Sequence, residues 1–325
     1  MSVATVNLLG WFGHGNAGDA RIAEVMVGYW HARGIAVNLI DTDPLARAQD
    51  LPRADVAVLA GGDHWHEGFA VPFSRFLSYL KTPFAVAGMG VDSLRPAMRE
   101  PTEALLAKAR FLWTRDEASL AMLGGLGDQR HAGPDVTWID PVAVRQGGSR
   151  GDYVALNVRP WPVRGFEGTA MNPAGWRTVL SAIDTPIIGL PMQSRGDGDD
   201  DRTALGALGL RSKGEFDMAT ISRAGLVISM RLHGLIFAAQ AAVPMIALVY
   251  QDKCRRFMEQ IGMGAYCLGL DEHDRLTGLK DLILSDYAAI QQRLLDRRRR
   301  LHEQATILMD RLTDWVRRCG ESYRA

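Results

Sequence analysis

Short apolar runs alternate with amphipathic stretches through most of the chain. Residues 3–12, 35–41, 54–62, 83–90 and 111–116 are β-branched or apolar runs of strand length. Between them, residues 19–34, 71–81, 100–110 and 117–127 carry apolar positions at helical spacing, and the first of these ends in a glycine stop at Gly34. A polar, Gly-rich segment follows, "RQGGSRGD" at 145–152, which reads as a linker. The alternation then restarts. Strands are expected over 153–161, 185–192, 225–230, 244–250 and 265–270. Helices are expected over 172–183, directly after "DGDDD" (197–201), near 216–224, and over 232–241, 253–262 and 276–284.

This βα rhythm, broken once, predicts an α/β protein with two Rossmann-like doubly wound domains facing a cleft. The first would span residues 1–147 and the second 148–285. Residues 286–325 carry one long C-terminal helix, with Tyr287, Ile290, Leu294, Leu301, Ala305, Leu308, Leu312 and Trp315 forming an apolar stripe that Arg298 interrupts. "RRRR" at 297–300 then reads as a solvated face, or as a contact with anionic lipid or polymer.

The run from Gly234 to Tyr250 is apolar enough to raise the question of a membrane span. It is shorter than the roughly 20 residues a span needs, and Gln240 and Pro244 interrupt it. A buried helix, a turn and a buried strand fit it better, as a sheet covered on both faces requires. The N-terminal residues read as a first strand rather than a secretory signal.

The formal net charge is zero, so no bulk charge points to nucleic acid. Cys254, Cys267 and Cys319 are too few and too scattered for a disulfide framework or a zinc site, which favours a reducing compartment.

Three loops invite chemistry. Gly13, Gly15 and Gly18 in "GHGNAGD" fit G-x-G-x-x-G between a strand and a helix, with Asp41 ending the next strand where a nicotinamide site would put its ribose acid; a tight turn is the plain reading. "AGGDHWHEGF" at 60–69 lies at a strand's C-terminal end and reads as a substrate-facing loop in preference to a metal site, since its His-x-His-Glu lacks zinc spacing. "DGDDD" lacks the glycine and glutamate of a calcium loop, with Arg202 and Leu208 in those places, and reads as an acidic helix N-terminus.

Cations gather at the strand ends of the second half. Arg159, Arg195, Arg231 with His233, and Lys253 each follow a strand on the rim where α/β sheets bind ligands. Together they suggest a pocket for a carboxylate or phosphate, with His233 as a proton donor.

These same residues carry a family resemblance. "SMRLHGLIFAAQAAVPMIALVYQDK" (229–253) resembles the signature of the polysaccharide pyruvyl transferases: R-L-H, an apolar helix, a V-P turn and Tyr-x-x-Lys. "GNAGD", Gly61-Gly62, "RDEAS" (115–119), Pro134-Asp135 and "NVRPW" (157–161) agree in order. The chain departs from the family pattern at Asp63, at Gln251 and in "HWHE".

The resemblance implies a GT-B-like fold and transfer of pyruvate from phosphoenolpyruvate to a sugar diol, with no further cofactor or metal. It implies that His233 and Lys253 serve the phosphoenolpyruvate site, with Arg231 and Arg115 matching family arginines; joined to the strand-end cations, this gives His233, Arg231 and Lys253 as catalytic and Arg159, Arg115, Arg195 and Ser229 around the donor. Gly13, His14, Asn16, Gly18 and Asp19 would hold the acceptor, with Gly61, Gly62, Asp63 and His64. That acceptor would be a polysaccharide or a lipid-linked sugar of the cell surface. The setting would be cytoplasmic, with peripheral membrane contact and self-association as open expectations. Two rivals stay open: a nucleotide-sugar glycosyltransferase of the same fold, and a non-catalytic polysaccharide-binding relative.

Overall fold

The computed structural model describes residues 4–42, 51–62, 80–92, 96–124, 129–145, 150–162, 168–194, 199–212 and 214–322. Residues 71–79 of the helix expected over 71–81, the loop 63–67, residues 146–149 of the linker and Arg195 lie outside them. The described chain forms two compact units, one of residues 1–13, 19–140 and 301–325, the other of residues 14–18 and 141–300.

The first unit is built on a six-stranded parallel sheet. In chain order its elements are β1 (Thr5–Gly10), α1 (Ala17–His31), β2 (Ala36–Asp41), β3 (Val56–Ala60), β4 (Phe84–Met89), α2 (Pro96–Leu106), β5 (Ala109–Thr114), α3 (Glu117–Met122) and β6 (Arg130–Ala132). The strand order β2-β1-β3-β4-β5-β6 reverses between β1 and β3. Every residue of β3 and β4 is buried, which is why these strands read as continuous apolar runs. Two local expectations shift. Helix α2 starts at Pro96, a residue suited to a first helical turn, and stops at Leu106, because Ala109 is captured by pairing with Phe84. Strand β6 is an edge strand of three partly exposed residues, too short and too polar to leave a hydrophobic pattern.

The second unit carries a five-stranded parallel sheet of order β11-β10-β9-β7-β8. Its elements are β7 (Val154–Asn157), α4 (Pro173–Ser181), β8 (Ile187–Gly189), α5 (Asp201–Ala207), α6 (Met218–Ser222), β9 (Leu226–Ser229), α7 (Leu232–Gln240), β10 (Met245–Val249), α8 (Asp252–Gln260), β11 (Cys267–Gly269) and α9 (Leu276–Ser285). Asn172, Asp200 and Asp217 cap α4, α5 and α6 through their side chains. The apolar run is the predicted buried helix and strand: from Leu232 to Gln240 only His233 is not buried, and β10 is buried up to Val249. Helix α7 can lie this close to the sheet because Gly234 has no side chain; a Cβ there would stand 2.3 Å from the Ser229 hydroxyl.

The long C-terminal helix is α10 (Tyr287–Ser322). Its stripe is buried at Ile290, Leu294, Leu301, Ala305, Leu308, Leu312 and Trp315. Arg298, which seemed to interrupt that stripe, is not on a solvated face. Its Nε donates to the Gln240 carbonyl at 2.7 Å and its Nη2 to that of Val142 at 3.2 Å. Among the described residues, no helix is long and apolar enough to cross a membrane.

Within the first unit, the fully buried Trp30 of α1 donates its indole N–H to Thr313 Oγ1 of α10 at 3.0 Å. Thr313→Val keeps the shape and removes the acceptor. It should cost about 1–3 kcal/mol, the penalty for a buried donor left unpaired. Urea unfolding of the two proteins measures this, and an unchanged midpoint would show that the indole finds another acceptor.

Candidate active site

The second sheet places its functional residues by topology. From β7 the chain steps to β8 on one side and then to β9 on the other, so the C-terminal ends of β7 and β9 form the switch point where open α/β sheets bind ligands. The last residues of these strands, Asn157 and Ser229, are register partners. Asn157 Oδ1 accepts from the Arg231 backbone N–H at 3.0 Å and from the Ser229 hydroxyl at 3.2 Å, while its Nδ2 donates to Asp201 Oδ2 at 2.8 Å.

Asp201, at the start of α5, is fully buried. Its carboxylate accepts Arg231 Nε at 2.9 Å and Nη2 at 2.6 Å, and also the backbone N–H groups of Met192 and Gln193 at 2.9 and 3.1 Å. A buried charge pair is tolerable only when its remaining bonding capacity is used in this way. Burial works against the Arg231 charge, but the charge and hydrogen bonds of Asp201, then Asp199, outweigh it and hold the guanidinium well above its ordinary range.

Asp199 extends the network. It accepts Arg231 Nη2 at 3.0 Å and Arg159 Nη2 at 2.7 Å, and so sets the two guanidinium groups side by side. Arg231 Nη1 makes no hydrogen bond among the described residues, and Arg159 Nε is buried without one. Tyr250 stands next to them, its ring centroid 5.2 Å from the Arg159 guanidinium and 5.6 Å from Lys253 Nζ. Arg159, Arg231 and Lys253 therefore share one corner of the second unit.

His233 is the second residue of α7, with its ring 5.7 Å from that of Phe237. The N-terminal glycine loop reaches it. Residues 14–18 belong to the second unit, held there by Ala17 N–H to the Met192 carbonyl (2.8 Å), Gln193 Nε2 to the His14 carbonyl (2.9 Å) and Ser194 N–H to the Gly15 carbonyl (3.2 Å). Gly18 packs directly on the imidazole; a Cβ there would lie 2.0 Å from His233 Nδ1. The backbone N–H groups of Met192 and Gln193 in turn bond Asp201. One chain of contacts therefore links the glycine loop to Arg231.

The first unit gathers a second set. Gly61 and Gly62 follow β3, both at positive φ, and the Gly90 N–H donates to the Gly62 carbonyl at 3.0 Å. Arg115, at the end of β5, is 6% exposed and lies flat on Gly90, where a Cβ would stand 2.1 Å from its guanidinium. Its Nη2 is buried without a hydrogen bond, and no described carboxylate pairs with it. An uncompensated buried arginine costs stability. Gly13 and Asp19 also belong to the first unit.

A model of the family described as polysaccharide pyruvyl transferase matches residues 16–252. The chain belongs to this family. The match runs from the glycine loop to the residue before Lys253, so it takes in nearly every residue described above. A comparison with curated protein sequences found no match. Among solved structures, the chain resembles UDP-GlcNAc 2-epimerase of Methanocaldococcus jannaschii in complex with UDP-GlcNAc and UDP (13% identity, 87% of this chain and 93% of that one, TM-score 0.57). It also resembles a glycosyltransferase of Rickettsia africae (10% identity, 98% and 99%, TM-score 0.60) and S. aureus MnaA solved with UDP (10% identity, 96% and 95%, TM-score 0.60). At these identities the likeness shows the GT-B-like fold alone.

Of the residues singled out in the sequence, the second unit brings together Arg159, Ser229, Arg231, His233 and Lys253 with His14, Asn16 and Gly18. Asp63, His64 and Arg195 lie outside the described residues. Sequence reasoning missed Asn157, Asp199, Asp201 and Tyr250 as parts of the site. Asn157 sits inside the quoted "NVRPW", and the two aspartates inside the run read only as an acidic helix start. The missing signal was a need: a buried strand-end arginine requires a buried acid.

Asp201→Asn should remove the buried charge partner of Arg231, leaving Asp199 alone against it, and destabilise the protein by about 3–5 kcal/mol. Chemical denaturation checks this, and a loss below about 1 kcal/mol would show the pair to be dispensable for the fold.

Proposed function

We propose that this member transfers pyruvate from phosphoenolpyruvate to two hydroxyls of a sugar in a cell-surface polysaccharide or its precursor, forming a ketal and releasing phosphate. The observation that carries the reading is the grouping of Arg159, Arg231 and Lys253 about Asp199 and Tyr250, with His233 two residues beyond Arg231 at the start of α7. A donor bearing both a carboxylate and a phosphate needs several cations, and here two of them are fixed by shared bonds to Asp199. Because Nε and Nη2 of Arg231 are committed to Asp201 and Asp199, its contribution to the donor is the Nη1 amino group and the placing of Arg159.

The chemistry follows from the substrate. A proton delivered to the methylene carbon of the enol phosphate makes a methyl group and an oxocarbenium at C2, and we assign that delivery to His233. The first sugar hydroxyl adds to C2 and loses its proton. The C2–O bond to phosphate then breaks, the cations taking up the negative charge, and the second hydroxyl adds with loss of its own proton. One proton is consumed at carbon and two are released, of which phosphate carries one away.

Phosphate release can be followed with phosphoenolpyruvate and a panel of methyl hexopyranosides, together with proton NMR of the new ketal methyl group. Acceptor-dependent release is expected, falling by two to four orders of magnitude in His233→Ala. Full activity in the variant would remove His233 from the reaction. Turnover of a UDP-sugar with no reaction of phosphoenolpyruvate would move the chain to sugar transfer.

A further inference from the structure

The second unit holds a cavity of about 230 Å³ at the C-terminal ends of β10 and β11, lined by Trp161, Tyr250, Gln251, Asp252 and Asp271 among others. We propose that this cavity receives the sugar ring that accepts pyruvate, an inference that rests on the pyruvyl-transfer reading above. It moves the receiving ring from the Gly13–Asp19 and Gly61–His64 loops, where the sequence placed it, to residues beside the donor cations.

The lining of the cavity points to the ligand class. The walls combine two aromatic rings with carboxylates and an amide, and among the described residues no cation lines them, so the cavity suits a neutral polyol better than a phosphate. Trp161 and Tyr250 meet edge to face with centroids 4.9 Å apart, an arrangement that holds each ring in place and presents apolar surface to the C–H face of a sugar. Gln251 Oε1 is buried and has no hydrogen-bond partner, which leaves an acceptor ready for a sugar hydroxyl. The carboxylates of Asp252 and Asp271 are exposed at the rim and accept from hydroxyls in the same way. The volume is below the roughly 300–1,000 Å³ of sites for larger ligands, as befits a single ring.

Position supplies the second argument. Tyr250 lines the cavity and is also the ring against which Arg159 and Lys253 stand, at 5.2 and 5.6 Å. A sugar in the cavity and a donor anion on the cations would be neighbours across one side chain. Transfer from C2 of the donor to a hydroxyl pair demands that closeness, and holding reactants in such proximity supplies much of the rate.

Saturation-transfer NMR with methyl glucoside, galactoside and mannoside tests the assignment, with uridine as the competing probe and phosphoenolpyruvate affinity measured by calorimetry on the same samples. At least one hexoside should take up saturation from the wild type. The signal should weaken roughly three- to tenfold in Trp161→Ala and in Gln251→Ala, while in Gln251→Ala phosphoenolpyruvate affinity stays within about twofold; Trp161 also stands 5.9 Å from the Arg159 guanidinium. A hexoside signal unchanged in both variants would overturn the assignment, as would saturation of uridine in place of every hexoside. Donor binding with no hexoside signal would refute this cavity and leave the donor reading standing. If neither donor nor hexoside binds, both fall.

Discussion

The buried pair of Asp201 and Arg231 is the constraint on which the second unit depends. Two charges taken out of water are an expense, and attraction between them offsets it only when every remaining lone pair and N–H is used. Asp201 meets that condition with the backbone N–H groups of Met192 and Gln193 and the amide of Asn157. The result fastens the end of β7, the start of α7, the segment after β8 and the start of α5 to one carboxylate. A hydrophobic pair in the same place would give comparable stability but could not present cations at a strand end.

Cations at a ligand site repel one another, and this repulsion must be held in check before the ligand arrives. Asp199 does this for Arg159 and Arg231 by bonding both. On the proposed reading, the same arrangement would hold these cations ready for an anion without reorganisation, which is where electrostatic catalysis gains its advantage. His233 stands at the start of a helix whose buried face fixes its backbone, and Gly18 of the N-terminal loop leaves room for its ring. Helix, loop and ion pair therefore serve one purpose: to make the positions of a few polar atoms depend on a large apolar core.

The fold was legible because the buried strands of a parallel sheet are apolar on both faces and end abruptly; β3, β4, β9 and β10 announced themselves this way. The edge strand β6 did not, since Arg130 and His131 are partly exposed and leave no period to read. The R-L-H block, Arg159 and Lys253 were legible as strand-end cations, and the family's sequence pattern sharpened them. Asp201 was not, because one aspartate in a run of acids looks like the next. Only the three-dimensional pairing tells that Asp200 caps the helix, Asp199 joins two arginines and Asp201 is buried. Arg298 was misread for a similar reason: a sequence of four arginines does not reveal that one of them turns inward to backbone carbonyls.

The central claim, that the bonds of Asp201 and Asp199 hold a set of cations ready for a dianionic donor, is tested most directly by titrating phosphoenolpyruvate into the wild type, Arg159→Ala, Lys253→Ala and the double variant by calorimetry. The account predicts micromolar to millimolar binding by the wild type, a loss of about tenfold or more in each single variant, and losses that fail to add in the double variant, since the two cations hold one ligand. Wild-type binding unaltered by either substitution would contradict it.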